Sequence, residues 1–144
     1  MRPIRFLPLL LLPLLAACVD DRTAYTPAEG NDAITLIREQ PLFWEKKVNL
    51  SLVVARMPDC MRRHELLKDS EPTTTVELFE YEPTTYIVRI GQQMWVTETR
   101  TCEGFAPMDK PAPKGMGTLL GTWTPSAEGM AFVPAPGAKK PADR

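Results

Sequence analysis

The sequence predicts a mainly β protein: a small antiparallel sheet, of sandwich or half-open-barrel type, with a short N-terminal helix and a Pro-rich C-terminal tail. Three observations carry this. Val48, Leu50, Leu52 and Val54 alternate with Asn49, Ser51, Val53 and Ala55, a period of two that sends one set to each face of a strand. Two further runs, 74–81 and 86–90, flank Glu82-Pro83-Thr84-Thr85, where proline occupies a favoured turn position. The length, 144 residues, leaves room for one domain.

Composition narrows the function class. With 17 Lys and Arg against 18 Asp and Glu, and a pI near 5.9, the chain lacks the surplus positive charge by which general nucleic-acid binders displace counterions, so no nucleic-acid partner is expected. A 44% hydrophobic content excludes a wholly disordered chain.

The N-terminus reads as an address. Arg2 and Arg5 precede an apolar stretch, 6–17, that ends in two alanines, the parts of a secretory signal. As a helix this stretch would reach about 18 Å, short of the roughly 30 Å hydrocarbon core, and Pro8 and Pro13 would disturb it. It ends in Leu15-Ala16-Ala17-Cys18, an aliphatic residue, two small ones and a cysteine, which resembles the lipobox of bacterial lipoproteins. The resemblance implies that Cys18 carries a diacylglyceryl group on sulfur, that residues 1–17 are removed, and that the new amine is acylated, with palmitate among the expected chains. Each buried methylene contributes about 0.8 kcal/mol, and two or more chains turn marginal adhesion into stable attachment. Val19 stands where the family's enterobacterial sorting rule has aspartate for inner-membrane retention, so the resemblance favours the outer membrane, on its periplasmic face.

The mature chain, mildly acidic once Arg2 and Arg5 are gone, begins with a polar stretch. Residues 18–30, with Pro27 and Gly30 and no apolar period, are expected to form a lipid-anchored flexible tether. A domain over 31–133 follows. Asn31 or Asp32 caps the expected short helix, Ile34 and Ile37 share a face, and Pro41 ends it. Gly91-Gln92 suits a type II′ reversal between the strand at 86–90 and one over 94–101. The result is a three-stranded meander beside the Val48 strand. Proline becomes dense after Gly104, where continuous sheet is not expected, although 119–123 and 130–133 can form a last hairpin. Residues 134–144 read as a disordered tail.

Three cysteines are odd for an exported protein until Cys18 is given to lipid, which leaves Cys60 and Cys102 as a pair in an oxidising compartment. Closing the long loop between them would stabilise the domain by roughly 4 kcal/mol. With no C-x-x-C and a single histidine, redox chemistry and metal binding are the weaker readings, and no cofactor is implied.

Candidate sites are few. His64 invites a catalytic reading, but Ser51, Ser70 and Ser126 have no nucleophile-elbow context, and Lys68 stands where H-E-x-x-H needs its second histidine. Arg56, Arg62, Arg63, His64 and Lys68 form the one dense basic group and are the candidate anion-binding residues, set against a plain solvated segment balanced by Glu65, Asp69 and Glu71. Trp44, Trp95 and Trp123, with Phe79, Tyr81 and Tyr86, are expected in the core rather than as a sugar-stacking surface. Glu77 and Glu80 have no supporting glycosidase pattern, and Gly115-Met116-Gly117 lacks the context of a phosphate loop. The sequence therefore points to a non-enzymatic envelope lipoprotein that binds or scaffolds an envelope protein or peptidoglycan. A peptidoglycan or anionic-headgroup module using the basic patch is one alternative, a small periplasmic hydrolase another.

Overall fold

In the computed structural model, which describes residues 19–139 with 141 and 142, the chain forms ten strands and two antiparallel sheets. The signal segment and Cys18 lie outside the described residues. The first sheet takes β1 (Asp20–Tyr25), β2 (Asp32–Glu39), β3 (Val48–Arg56) and β4 (Cys60–Ser70) in sequence order. The second contains β5 (Val76–Glu82), β6 (Thr85–Ile90), β7 (Gln93–Glu98), β8 (Phe105–Met108), β9 (Thr118–Ser126) and β10 (Gly129–Pro134), in the order β10-β9-β5-β6-β7-β8. Among the described residues there is no helix.

The two sheets share one hydrophobic core, built by parity. Ile34 and Leu36 of β2, Leu50, Leu52 and Val54 of β3, Val76 and Leu78 of β5, and Val88 of β6 are fully buried in it, with Trp123 of β9. Alternate residues on each strand take the outer face, where Arg89 pairs with Glu77 at 2.5 Å and stacks over the Phe79 ring. One pair of edges meets where Trp123 Nε1–H donates to the Thr23 carbonyl (3.0 Å) and Thr23 Oγ1–H to that of Met130 (2.7 Å), tying β1 to β9 and β10. Gly121 allows β10 to lie close, since a Cβ there would stand 2.5 Å from the Phe132 ring and the Val133 carbonyl. The opposite pair of edges is closed by the disulfide described below.

The β3 strand, the β5–β6–β7 meander and the final β9–β10 hairpin fall where the sequence predicts them. Gly91, at φ +58°, opens the two-residue reversal between Ile90 and Gln93.

Other expectations are corrected. The helix expected after Asn31 is strand β2: β-branched Ile34, Thr35 and Ile37 suit a pleated surface, and β1 and β3 supply partners on both sides. The tether expected over 18–30 holds strand β1, so the folded body starts at Asp20. The meander lies in the second sheet, whereas β3 lies in the first. Strands β4 and β8 were not expected. At the other terminus Pro134 belongs to β10, and the Ala142 N–H donates to the Thr26 carbonyl at 3.0 Å, so part of the expected disordered tail is fastened to the body.

Candidate functional site

Four of the five candidate basic residues, Arg62, Arg63, His64 and Lys68, lie on β4, next to a covalent corner, and Arg56 ends β3. Cys60, at the start of β4, is disulfide-bonded to Cys102, in the loop after β7, with Cα atoms 6.0 Å apart, as the cysteine count predicts. His64 reinforces this corner. Its ring stacks on Phe105 of β8 (centroids 4.6 Å apart, planes within 8°), and its Nε2–H donates to the Cys102 carbonyl at 2.9 Å. His64 thus joins the edges of two sheets, with its ring face and one nitrogen engaged.

Glu98 organises the same loop from within. Its carboxylate accepts hydrogen bonds from the Thr101 N–H (2.8 Å) and hydroxyl and from the Gly104 N–H (3.0 Å). Partial burial alone would raise the carboxyl, but these bonds, with one from the Arg100 backbone, outweigh it and hold the group at about 2.

Each of the other candidate anion-binding residues meets an internal acid. Arg56 pairs with Asp32 at 2.7 Å, Arg62 with Glu103 at 2.8 Å, Arg63 with Glu39 at 2.6 Å and Lys68 with Glu65 at 3.4 Å. Arg63 also donates to Ser51 Oγ at 3.1 Å. Arg56 sits at the turn end of β3, away from the mid-strand pair Arg63–Ser51, so the sequence cluster is spread over several places. The pairs of Arg62, Arg63 and Lys68 are exposed and add little stability, whereas the Arg56–Asp32 pair is partly buried; all four cancel local charge.

A different concavity emerges at one end of the two sheets. The parity that buries Ile34, Val54, Leu78 and Val88 continues to Asp32, Arg56, Glu80 and Tyr86, so polar side chains turn inward where the apolar stretches stop. Tyr25 on β1 joins them. Tyr25, Asp32, Glu80 and Tyr86, with Pro27, Ala28, Glu29, Pro83, Thr84 and Lys139 from the neighbouring segments, line a cleft of about 530 Å³. Tyr25 and Tyr86 are each 3% exposed, and burial, reinforced by nearby acids, raises both phenols above the usual tyrosine range. Asp32 is held by two of the three Arg56 guanidinium nitrogens, Nε at 2.7 Å and Nη2 at 3.2 Å. The cleft therefore offers neutral phenols, carboxylates and the Lys139 ammonium group, a surface suited to hydrogen-bonded recognition. Continuing each strand's parity beyond its apolar residues is the signal that would have revealed it.

Of the aromatic residues expected inside, Trp95, Trp123, Phe79 and Tyr86 are buried and Tyr81 is half-buried. Trp44 is corrected: it is 65% exposed, in the β2–β3 loop, because Pro41 and the turn from Leu42 to Glu45 carry it off the sheet. Among the described residues no cluster of His, Cys, Asp or Glu is arranged to hold a metal ion, and no helix is long and apolar enough to cross a membrane. No family model, curated protein or solved structure matches the chain.

Proposed function

We propose that this protein is a non-enzymatic lipoprotein of the bacterial outer membrane, anchored through Cys18, whose two-sheet domain is a sandwich-like module that binds or scaffolds another envelope component. The observation that carries the reading is the Cys60–Cys102 disulfide: it accounts for two of the three cysteines and leaves Cys18, in its lipobox-like setting, for different chemistry. The layout of β1 and β2 supports it further. Val19, beside the proposed anchor, lies at one end of these strands and the Tyr25–Asp32 cleft at the other. Eight residues of β2 separate the ends by about 25 Å, so an anchored domain would hold the cleft toward the periplasm. Binding through Arg62 and Arg63 loses support because both already pair with glutamates.

The test combines labelled fatty acid with cell fractionation. Label in the wild-type protein and its loss, with release from the membrane fraction, in Cys18→Ser is the expected result. A wild-type protein that never takes up label, or a variant that stays as firmly bound, overturns the anchor.

A further inference from the structure

The β2–β3 loop leaves Leu42, Phe43 and Trp44 at 40%, 61% and 65% exposure, three large apolar side chains in succession. Such a tip is costly in water and marks a surface that something covers. Phe43 and Trp44 pack edge to face, with centroids 4.6 Å apart, and the Gln40 side chain holds the loop through the Phe43 and Glu45 carbonyls. The tip is therefore a shaped projection of the fold.

Its neighbour is the point where the chain enters the domain. The Gln40 N–H donates to the Val19 carbonyl at 2.8 Å, and the Val19 N–H donates to Gln40 Oε1 at 3.3 Å. Val19, Phe43 and Trp44 line one hollow, together with Lys46 and Val48. Since β1 begins at Asp20, only Val19 separates Cys18 from a hydrogen-bonded strand, and no tether is left to hold the domain away from its anchor. The loop is thus fixed beside the residue that would carry the acyl chains.

Resting on the proposed acylation of Cys18, we infer that the Leu42-Phe43-Trp44 tip is a membrane-docking element, which inserts into the interfacial layer of the bilayer holding the lipid anchor and stands the domain on it in one orientation. Aromatic rings are favoured at that depth, where the ring body leaves water and the indole N–H still finds polar groups. Exposed Lys46, two residues on, is placed for anionic headgroups. The strand layout then turns the Tyr25–Asp32 cleft away from the membrane.

Trp44 is its own probe, because Trp95 and Trp123 are 7% and 0% exposed. The full mature protein, extracted from bacterial envelopes, is reconstituted into phosphatidylethanolamine–phosphatidylglycerol vesicles with or without bromine-labelled acyl chains. Relative to Trp44→Phe, the wild-type protein is expected to show emission shifted to shorter wavelength, protection from aqueous iodide and quenching by the brominated chains. Trp44 emission that stays at the water-exposed wavelength with full iodide access overturns the docking. So does a shift that needs no vesicles and grows with protein concentration, which would mean that a second copy covers the tip. The intact mass reports acylation separately. If acyl groups are absent the anchor reading fails, and the same protein added to the same vesicles from solution still decides the tip: a Trp44 shift sustains docking, and no shift overturns it.

Discussion

Arg38 shows how a single charged residue defines the start of the domain. Its guanidinium is buried opposite Asp21 on the adjacent strand, where Nε (2.8 Å) and Nη2 both donate to Oδ2, and Nη1 donates to the Pro72 carbonyl at 2.8 Å. The pair links β1, β2 and the loop after β4. Removing the acid alone strands a buried cation, so Asp21→Ala should lower unfolding stability by roughly 3 kcal/mol in urea titration, and Asp21→Leu with Arg38→Met should cost clearly less. If the single variant unfolds at the wild-type midpoint, β1 is not held as described. The sequence conceals this. Asp20 to Tyr25 contains a correct two-residue period, but the inward members are Asp21, Thr23 and Tyr25, and polar alternation is indistinguishable from a linker until a buried partner such as Arg38 is known.

At the scale of elements, strands whose apolar inward face fits only a period of two were legible, and those with a polar inward face or an ambiguous period were not. Period two in Val48 to Val54 and the turn chemistry at Pro83 and Gly91 placed β3 and the meander, while β4 was hidden by Met61, Arg62, Arg63 and Glu65 on its exposed positions. Ile34 and Ile37 satisfy helical spacing and Ile34 and Leu36 strand spacing, so only the flanking strands decide β2. The cysteine pair was readable because parity of number needs no geometry, whereas the cleft needed the inward ends of four strands at once. The loop that carries Cys102 has its own electrostatic lock in Glu98. Its carboxyl lies below the ordinary 4.5 in the folded state, so its contribution to stability is fully present above pH 4.5 and is lost as pH falls toward about 2. Glu98→Ala should cost about 2 kcal/mol at pH 7, and the variant should lose less stability than the wild type between pH 5 and pH 2 in matched denaturation curves. Parallel acid profiles for the two proteins would contradict the lock.

For the whole molecule, the two sheets closed at both edges give a body with two unlike ends. One holds Val19 and the Leu42-Phe43-Trp44 tip; the other holds the cleft between Tyr25 and Tyr86. A two-ended body suits a protein fastened at one end and read at the other. If the anchored orientation is right, a photo-crosslinking residue at Thr84, on the cleft rim, should capture an envelope component in intact cells, and one at Trp44 should capture lipid. The reverse pattern would invert the orientation. The anchored reading depends on the fate of the three cysteine sulfurs, and one intact-mass measurement on protein taken directly from the envelope reads them together. The predicted result is a chain beginning at Cys18, heavier by a diacylglyceryl group and an acyl chain, with no thiol open to alkylation before reduction. A chain that begins elsewhere, or a Cys18 thiol that alkylates freely, would contradict the account.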